Sequence, residues 1–261
     1  MLDYDLEAAH YDRTRGGAER ARAAADAVLE LVPAGCAVLV DVACGTGIVS
    51  ELLRAPVRTV VGVDRSAGML ALARPRLAGG GDAGCGSPGG GGVVHGDATR
   101  LPVASGSVDA VTFMWLLHLV DAATVAAAIA EAARVLRPGG VLVTTVDKNS
   151  AQFQTGSDVG AILRAAQREL APAASDAEER VRELAAAAGL EPAGTAGYVG
   201  HGQGKSPREW VRRVREEIKW LRNADPARVD ELCRALEALP EQDALRADPE
   251  YRLAGFRLPG H

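Results

Sequence analysis

The sequence predicts an open α/β domain, a mostly parallel sheet with helices laid on it, and three observations carry that prediction. Residues 38–42, VLVDV, form a short run rich in β-branched residues that passes directly into the glycine turn C-G-T-G and then into a helical pattern from Ile48, the grammar of a buried parallel strand feeding a crossover helix. Residues 60–64, VVGVD, repeat the apolar run and end on a second carboxylate about twenty residues past the turn, where nucleotide-binding α/β folds place the acid that holds ribose hydroxyls. Strand and helix patterns then alternate as far as residue 146, which argues for a parallel sheet over a sandwich or a bundle.

Each element has a local reason. Residues 1–31 read as helical, most firmly over the Ala-rich stretch 18–31. Asp41 interrupts an apolar strand, so it is expected at the strand's carboxyl end, facing a ligand or backbone donors. Gly45 and Gly47 let the main chain turn tightly and approach a ligand where a Cβ would collide. Ser66 is placed to cap a helix over 67–77, with Met69, Leu70 and Ala73 inward. Residues 78–92 are dominated by glycine and read as a loop. Strands are expected at 93–95, 109–113 and 141–146, with a helix over 124–136 and R-P-G-G at 137–140 as the turn before the fifth strand. Helices are expected over 158–170, 176–188, 207–221 and 228–239, the third with Trp210, Val214, Ile218 and Leu221 on one face. Residues 190–199 and 251–258 supply the last two strands.

A nicotinamide site has to be weighed against this pattern. The third glycine of a dinucleotide fingerprint is absent, with Ser50 in its place, and no tyrosine is followed by a lysine four residues on. The chain instead resembles the class I S-adenosylmethionine-dependent methyltransferases, near the ubiquinone/menaquinone C-methyltransferase group. Five blocks in order carry the resemblance: D-V-A-C-G-T-G at Asp41 to Gly47, V-G-V-D-R-S at Val61 to Ser66, G-D-A at Gly96 to Ala98, S-V-D-A-V-T-F-M-W-L-L-H at Ser107 to His118, and R-V-L-R-P-G-G-V-L at Arg134 to Leu142.

That resemblance implies a doubly wound, Rossmann-like sheet of seven strands in the order 3-2-1-4-5-7-6, the last strand antiparallel, under a helical N-terminal cover. It implies one domain over 1–261, with the cover at 1–31, the cofactor core at 32–147, lid and substrate-side elements in 148–225 and a closing helix and strand in 226–261. The cofactor implied is S-adenosyl-L-methionine. Asp41, Ala43, Cys44, Gly45 and Gly47 would form its glycine turn, and Asp64 and Arg65 would serve the ribose side. Met69 is placed against the adenine, Asp97 and Ala98 would meet the base edge, and Met114 would lie near the sulfonium. Tyr11 and Arg15, in the segment A-H-Y-D-R-T-R-G, would cover the cofactor and hold its carboxylate.

Such a cofactor is already a strong electrophile, so few catalytic groups are needed beyond alignment and exclusion of water. His118 is the candidate base, with His201 and His10 as rivals and simple packing as the plain alternative. An apolar mouth at Met114, Trp115, Leu116 and Leu117 favours a small, partly hydrophobic acceptor, methylated at O, N or C. The N/D/S-P-P-Y/F block of nucleic-acid amino-methyltransferases is missing, and the net charge of -5 argues against a nucleic-acid footprint. No H-E-x-x-H, paired-cysteine or acidic cluster proposes a metal. Four cysteines without a C-x-x-C pair, no signal peptide and no membrane-length apolar stretch are expected of a soluble cytoplasmic enzyme with a small-molecule substrate, with room for a homodimer. Two other readings keep the fold: the same cofactor used for cofactor modification or cyclisation, and a binding module without catalysis.

Overall fold

The structure is a computed structural model that describes Asp12, residues 16–78 and residues 90–260. Seven strands, β1 (Val38–Val42), β2 (Thr59–Asp64), β3 (Gly90–His95), β4 (Val108–Phe113), β5 (Leu136–Val146), β6 (Glu191–Val199) and β7 (Glu250–Arg257), form one sheet in the order β3-β2-β1-β4-β5-β7-β6. The first five run parallel, and β7 enters antiparallel between β5 and β6. This is the expected order and hand of pairing. The carboxyl ends of β1, β2, β4 and β5 therefore share one edge, and the site is built there.

Two cores sandwich the sheet. On one face lie α1 (Gly17–Leu31), α2 (Ile48–Leu53) and α3 (Ala67–Leu77); Ala24, Val28, Leu53 and Leu77 pack with Leu39 and Val141. On the other lie α4 (Ala122–Val135) and α7 (Glu178–Ala187), whose Ile129, Ala132 and Val181 meet Val40, Val111 and Leu142. Alternate residues of β1 and β4 thus go to opposite cores, which is why these strands read as unbroken apolar runs. Between α4 and α7 come the short α5 (Lys148–Ala151) and α6 (Asp158–Leu170). A third core, around Phe153, Leu163, Trp210 and Leu232, joins α6 to α8 (Pro207–Glu216) and α9 (Pro226–Glu237). Among the described residues, no helix is long and apolar enough to cross a membrane.

Ser66 caps α3 as expected, accepting from Met69 N at 3.1 Å. Three local expectations need correction. Gly90, Gly91 and Gly92, read as loop, pair with Thr59, Val60 and Val61 as the start of β3. R-P-G-G is not a turn ahead of the strand: β5 begins at Leu136, which pairs with Val108, while Val141 pairs with Ala110, so residues 137–140 bulge around Asp109. Arg137 holds Asp109 at 2.8 Å, and Asp109 accepts from the N–H groups of Ala37 and Val38 at 2.8 Å each, tying the bulge to the start of β1. The helix expected to reach Leu221 stops at Glu216, and Ile218 is extended before a 3-10 turn at Lys219–Leu221. The break still leaves Ile218 and Leu221 buried in the third core; the apolar spacing was satisfied without a continuous helix.

Candidate functional site

The glycine turn sits at the end of β1. Ala43, Gly45 and Gly47 are all left-handed, with φ of 58, 55 and 75°. Gly47 needs its missing side chain twice over, since a Cβ there would also stand 3.0 Å from Ala73 Cβ of α3. Among the described residues, a Cβ at Gly45 would meet no atom within 4 Å. Asp64, at the end of β2, fastens this turn: one carboxylate oxygen accepts from Gly45 N at 2.9 Å and the other from Ser66 N at 2.8 Å. Each oxygen keeps a lone pair for a further donor.

Asp41 points into the interior of the protein. It is 1% exposed, and its two oxygens accept from the hydroxyls of Ser50 and Thr112, the latter at 2.7 Å. It braces β1 against α2 and β4 from inside, correcting the expectation that it points into the crevice. Burial pushes its carboxyl up to about 6, against the pull of the two hydroxyls. The folded state therefore holds this proton more tightly than the unfolded chain, whose aspartate titrates near ~3.9. Stability falls as pH rises from about 4 to about 6 and levels off above, a cost of about 3 kcal/mol at neutral pH. Asp41→Asn is expected to flatten that part of the curve in urea melts run across this range. An unchanged slope would count against the assignment.

Cys44 is a plug. Its Sγ would lie 2.7 Å from a Cβ on Gly62, so it fills the groove that this glycine leaves in β2. Burial first, then the nearby Asp41 and Asp64 carboxylates, push its thiol far above the ordinary range, so no thiolate is offered for chemistry. Met69 and Met114 are 2% and 5% exposed, with their side chains packed into the protein. Arg65 is exposed, and its carbonyl is 2.9 Å from His95 Nε2. Asp97 is exposed, with Oδ1 accepting from Thr99 Oγ1 at 2.6 Å and Thr99 N at 2.8 Å, which holds its carboxyl below the usual range. Ala98, half-buried, leans on the second core. His118 lies in a 3-10 turn, Leu117–Leu119, beyond β4 and is half-buried. His201 follows the carboxyl end of β6, at the same edge of the sheet, and its ring stands 3.6 Å from Glu19. His10, Tyr11 and Arg15 lie outside the described residues.

Three further features were not read from the sequence. Asp12 reaches the glycine turn, accepting from Thr46 Oγ1 at 2.6 Å and from Arg76 Nη2 at 2.7 Å, while Arg76 Nη1 donates to Thr46 O at 2.9 Å. Trp115 and Asp147, beyond the ends of β4 and β5, are left-handed non-glycine residues with φ of 58 and 51°, like Ala43 beyond β1. Strained backbone of this kind concentrates at functional sites, and here it marks the carboxyl edge of the three central strands. Arg20 of α1 is 4% exposed and lies over the Trp115 ring.

Residues 40–144 match the family model described as a methyltransferase domain. This stretch, about four tenths of the chain, is similar to a methyltransferase domain. The demethylmenaquinone methyltransferase of Parafrankia sp. is 43% identical over 156 residues, 53% of this chain and 59% of that protein. The demethylmenaquinone methyltransferase of Beutenbergia cavernae is 43% identical over 108 residues, 40% of this chain and 38% of that protein. The chain thus covers between about four and six tenths of the length of these relatives. Among solved structures, the [4+2]-cyclase SpnF superposes with a TM-score of 0.59 at 20% identity, covering 99% of this chain and 95% of that one. A methyltransferase from Methanosarcina mazei gives 0.55 at 14% identity, covering 90% and 97%. These two likenesses concern the fold alone.

S-adenosylmethionine is the group that a methyltransferase domain would hold here, and the residues present would suit it. Asp64 has lone pairs for two ribose hydroxyls, Gly45 lies beside it, and Asp97 keeps Oδ2 for an exocyclic amine.

Proposed function

We propose that the protein transfers the methyl group of S-adenosylmethionine to a ring carbon or oxygen of a small planar hydroquinone or phenol. The observation that carries the cofactor half is the Asp64 bridge between the glycine turn and the start of α3. The acceptor half is supported by the two demethylmenaquinone methyltransferases that match the core at 43% identity. When bound, the cofactor supplies a methyl group on a positively charged sulfur, an electrophile that needs no metal or acid to activate it.

The chain's own residues then have limited tasks. Asp64 holds the ribose and Asp97 the adenine edge, and the left-handed turn at Gly45 lets the backbone lie against the ligand. His118 is the group we assign to take the proton that a hydroquinone acceptor must lose, from its half-buried place beyond β4. Residues 148–225 contribute the acceptor-side cover, with α9 and β7 completing a single domain. We place the enzyme in the cytoplasm, with a small molecule as partner; the free thiols of Cys36, Cys44 and Cys233 support a reducing compartment.

The test is incubation of purified protein with S-adenosylmethionine and 1,4-naphthohydroquinone under reducing conditions, with S-adenosylhomocysteine and methylated product followed by mass spectrometry. One product molecule per S-adenosylhomocysteine is expected. Tight cofactor binding with no S-adenosylhomocysteine formed would favour chemistry without methyl loss, as in a cyclase of this fold, and would overturn the proposal.

A further inference from the structure

Trp115 is held far more elaborately than a core tryptophan needs to be. A bulky aromatic residue at φ 58° is a genuine outlier, costing about 1–3 kcal/mol that its surroundings must offset. Its backbone N–H donates to Thr145 Oγ1 on β5 at 3.0 Å, and its indole N–H donates to the Tyr198 hydroxyl on β6 at 2.6 Å. The guanidinium of Arg20, from α1, lies 3.9 Å from the ring centroid and 5.2 Å from that of Tyr251 on β7, whose ring is 5.4 Å from that of Tyr198. Two elements, α1 and β6, therefore hold the side chain itself, β5 holds its backbone N–H, and β7 backs Arg20 and Tyr198.

The place of this ring matters as much as its fixation. Val42 pairs with Phe113, so the glycine turn and the segment Met114–Trp115 leave the sheet side by side. Met114 is buried, but Trp115 keeps part of its surface exposed. Filling space alone needs no polar contacts; the contacts present set an orientation, and orientation is what an in-line methyl transfer requires.

We propose that Trp115 is the wall against which the acceptor is laid, and that Arg20 and Tyr198 are positioning residues that set the angle of its ring. The inference rests on the methyl-transfer reading above and adds the acceptor side to it. Tyr198→Phe leaves a ring of the same shape but removes the oxygen that the indole N–H needs. Arg20→Lys keeps the charge and loses the planar stack. Trp115→Phe shortens the wall.

Three readouts apply to each variant and to the wild type: S-adenosylhomocysteine affinity by calorimetry, kcat and KM with 1,4-naphthohydroquinone, and quenching of tryptophan emission by 1,4-naphthoquinone in the S-adenosylhomocysteine complex. Tyr198→Phe and Arg20→Lys are expected to keep S-adenosylhomocysteine affinity within about twofold while kcat falls about tenfold or more, since misplacement by about 1 Å costs up to ~100-fold. Trp115→Phe is expected to lose the saturable part of the quenching, because the remaining tryptophans, Trp210 and Trp220, belong to the third core. Wild-type turnover matched by all three variants would overturn this inference and leave the methyl-transfer reading standing. A wild type that binds S-adenosylhomocysteine yet shows neither turnover nor quenching overturns both. Variants that lose S-adenosylhomocysteine affinity and activity in equal measure would make the cluster structural and also overturn the inference.

Discussion

Asp64→Ala is expected to weaken S-adenosylmethionine and S-adenosylhomocysteine binding by about 100-fold or more. Hydrogen bonds to a charged group contribute about 1.5–3 kcal/mol each, and two ribose hydroxyls would lose theirs together. The loss has a second source within the protein. Without the carboxylate, Gly45 N and Ser66 N lose the acceptor that joins them, so the glycine turn and the first turn of α3 are no longer held in one geometry. Asp64→Asn separates the two contributions: it retains an acceptor for one backbone donor and one hydroxyl, and should fall between wild type and alanine. Isothermal titration calorimetry reads this directly. Affinity within about threefold of wild type for the alanine variant, under ~1 kcal/mol, would remove Asp64 from the ribose.

Gly62→Val should damage both stability and cofactor binding. Glycine inside a strand ordinarily weakens it, so a β-branched replacement in β2 would stabilise a strand with room for it. Here there is none. A Cβ would stand 2.7 Å from Cys44 Sγ, 2.9 Å from Leu77 Cδ1 and 3.2 Å from Cys44 Cβ. Overpacking of this kind costs about 1–3 kcal/mol, which for a chain of this size lowers the melting temperature by about 3–10 °C. Both Cys44 and Leu77 must move, and Cys44 lies inside the glycine turn, so cofactor affinity should fall with stability. The companion variant is Cys44→Ala with Gly62→Ala, where removing the sulfur makes room for the new methyl and recovers much of what Gly62→Ala alone loses. A Gly62→Val protein that melts with wild type and binds S-adenosylhomocysteine normally would refute this account of the turn.

The fold was legible because its signals are local. The β-branched run at 38–42, the glycines that follow and the apolar run ending at Asp64 each declare a strand and its exit within a few residues. The order of the strands came from resemblance to a family, and the pairing agrees with it. What escaped was set by contacts between distant parts of the chain. Asp41 was expected at a ligand because a carboxylate in an apolar strand needs a partner; the partners are Ser50 and Thr112, 9 and 71 residues away. Asp12 meets Arg76 across 64 residues and Trp115 meets Tyr198 across 83, and no periodicity encodes either pair. The R-P-G-G segment was read as a turn because its residues favour turns; its bulge depends on Asp109, which one strand away holds Arg137. In each case the residue type was informative and its partner was not.

The central claim is that a sulfonium nucleoside lies across the carboxyl ends of β1, β2 and β4, with its sugar on Asp64 and its base beside Asp97. A crystal structure of the protein with S-adenosylhomocysteine tests this most directly. The account predicts both ribose hydroxyls within hydrogen-bond distance of the Asp64 carboxylate, the adenine amine on Asp97 and the thioether sulfur facing Trp115. Density for the nucleoside anywhere else, or a ribose turned away from Asp64, would contradict it.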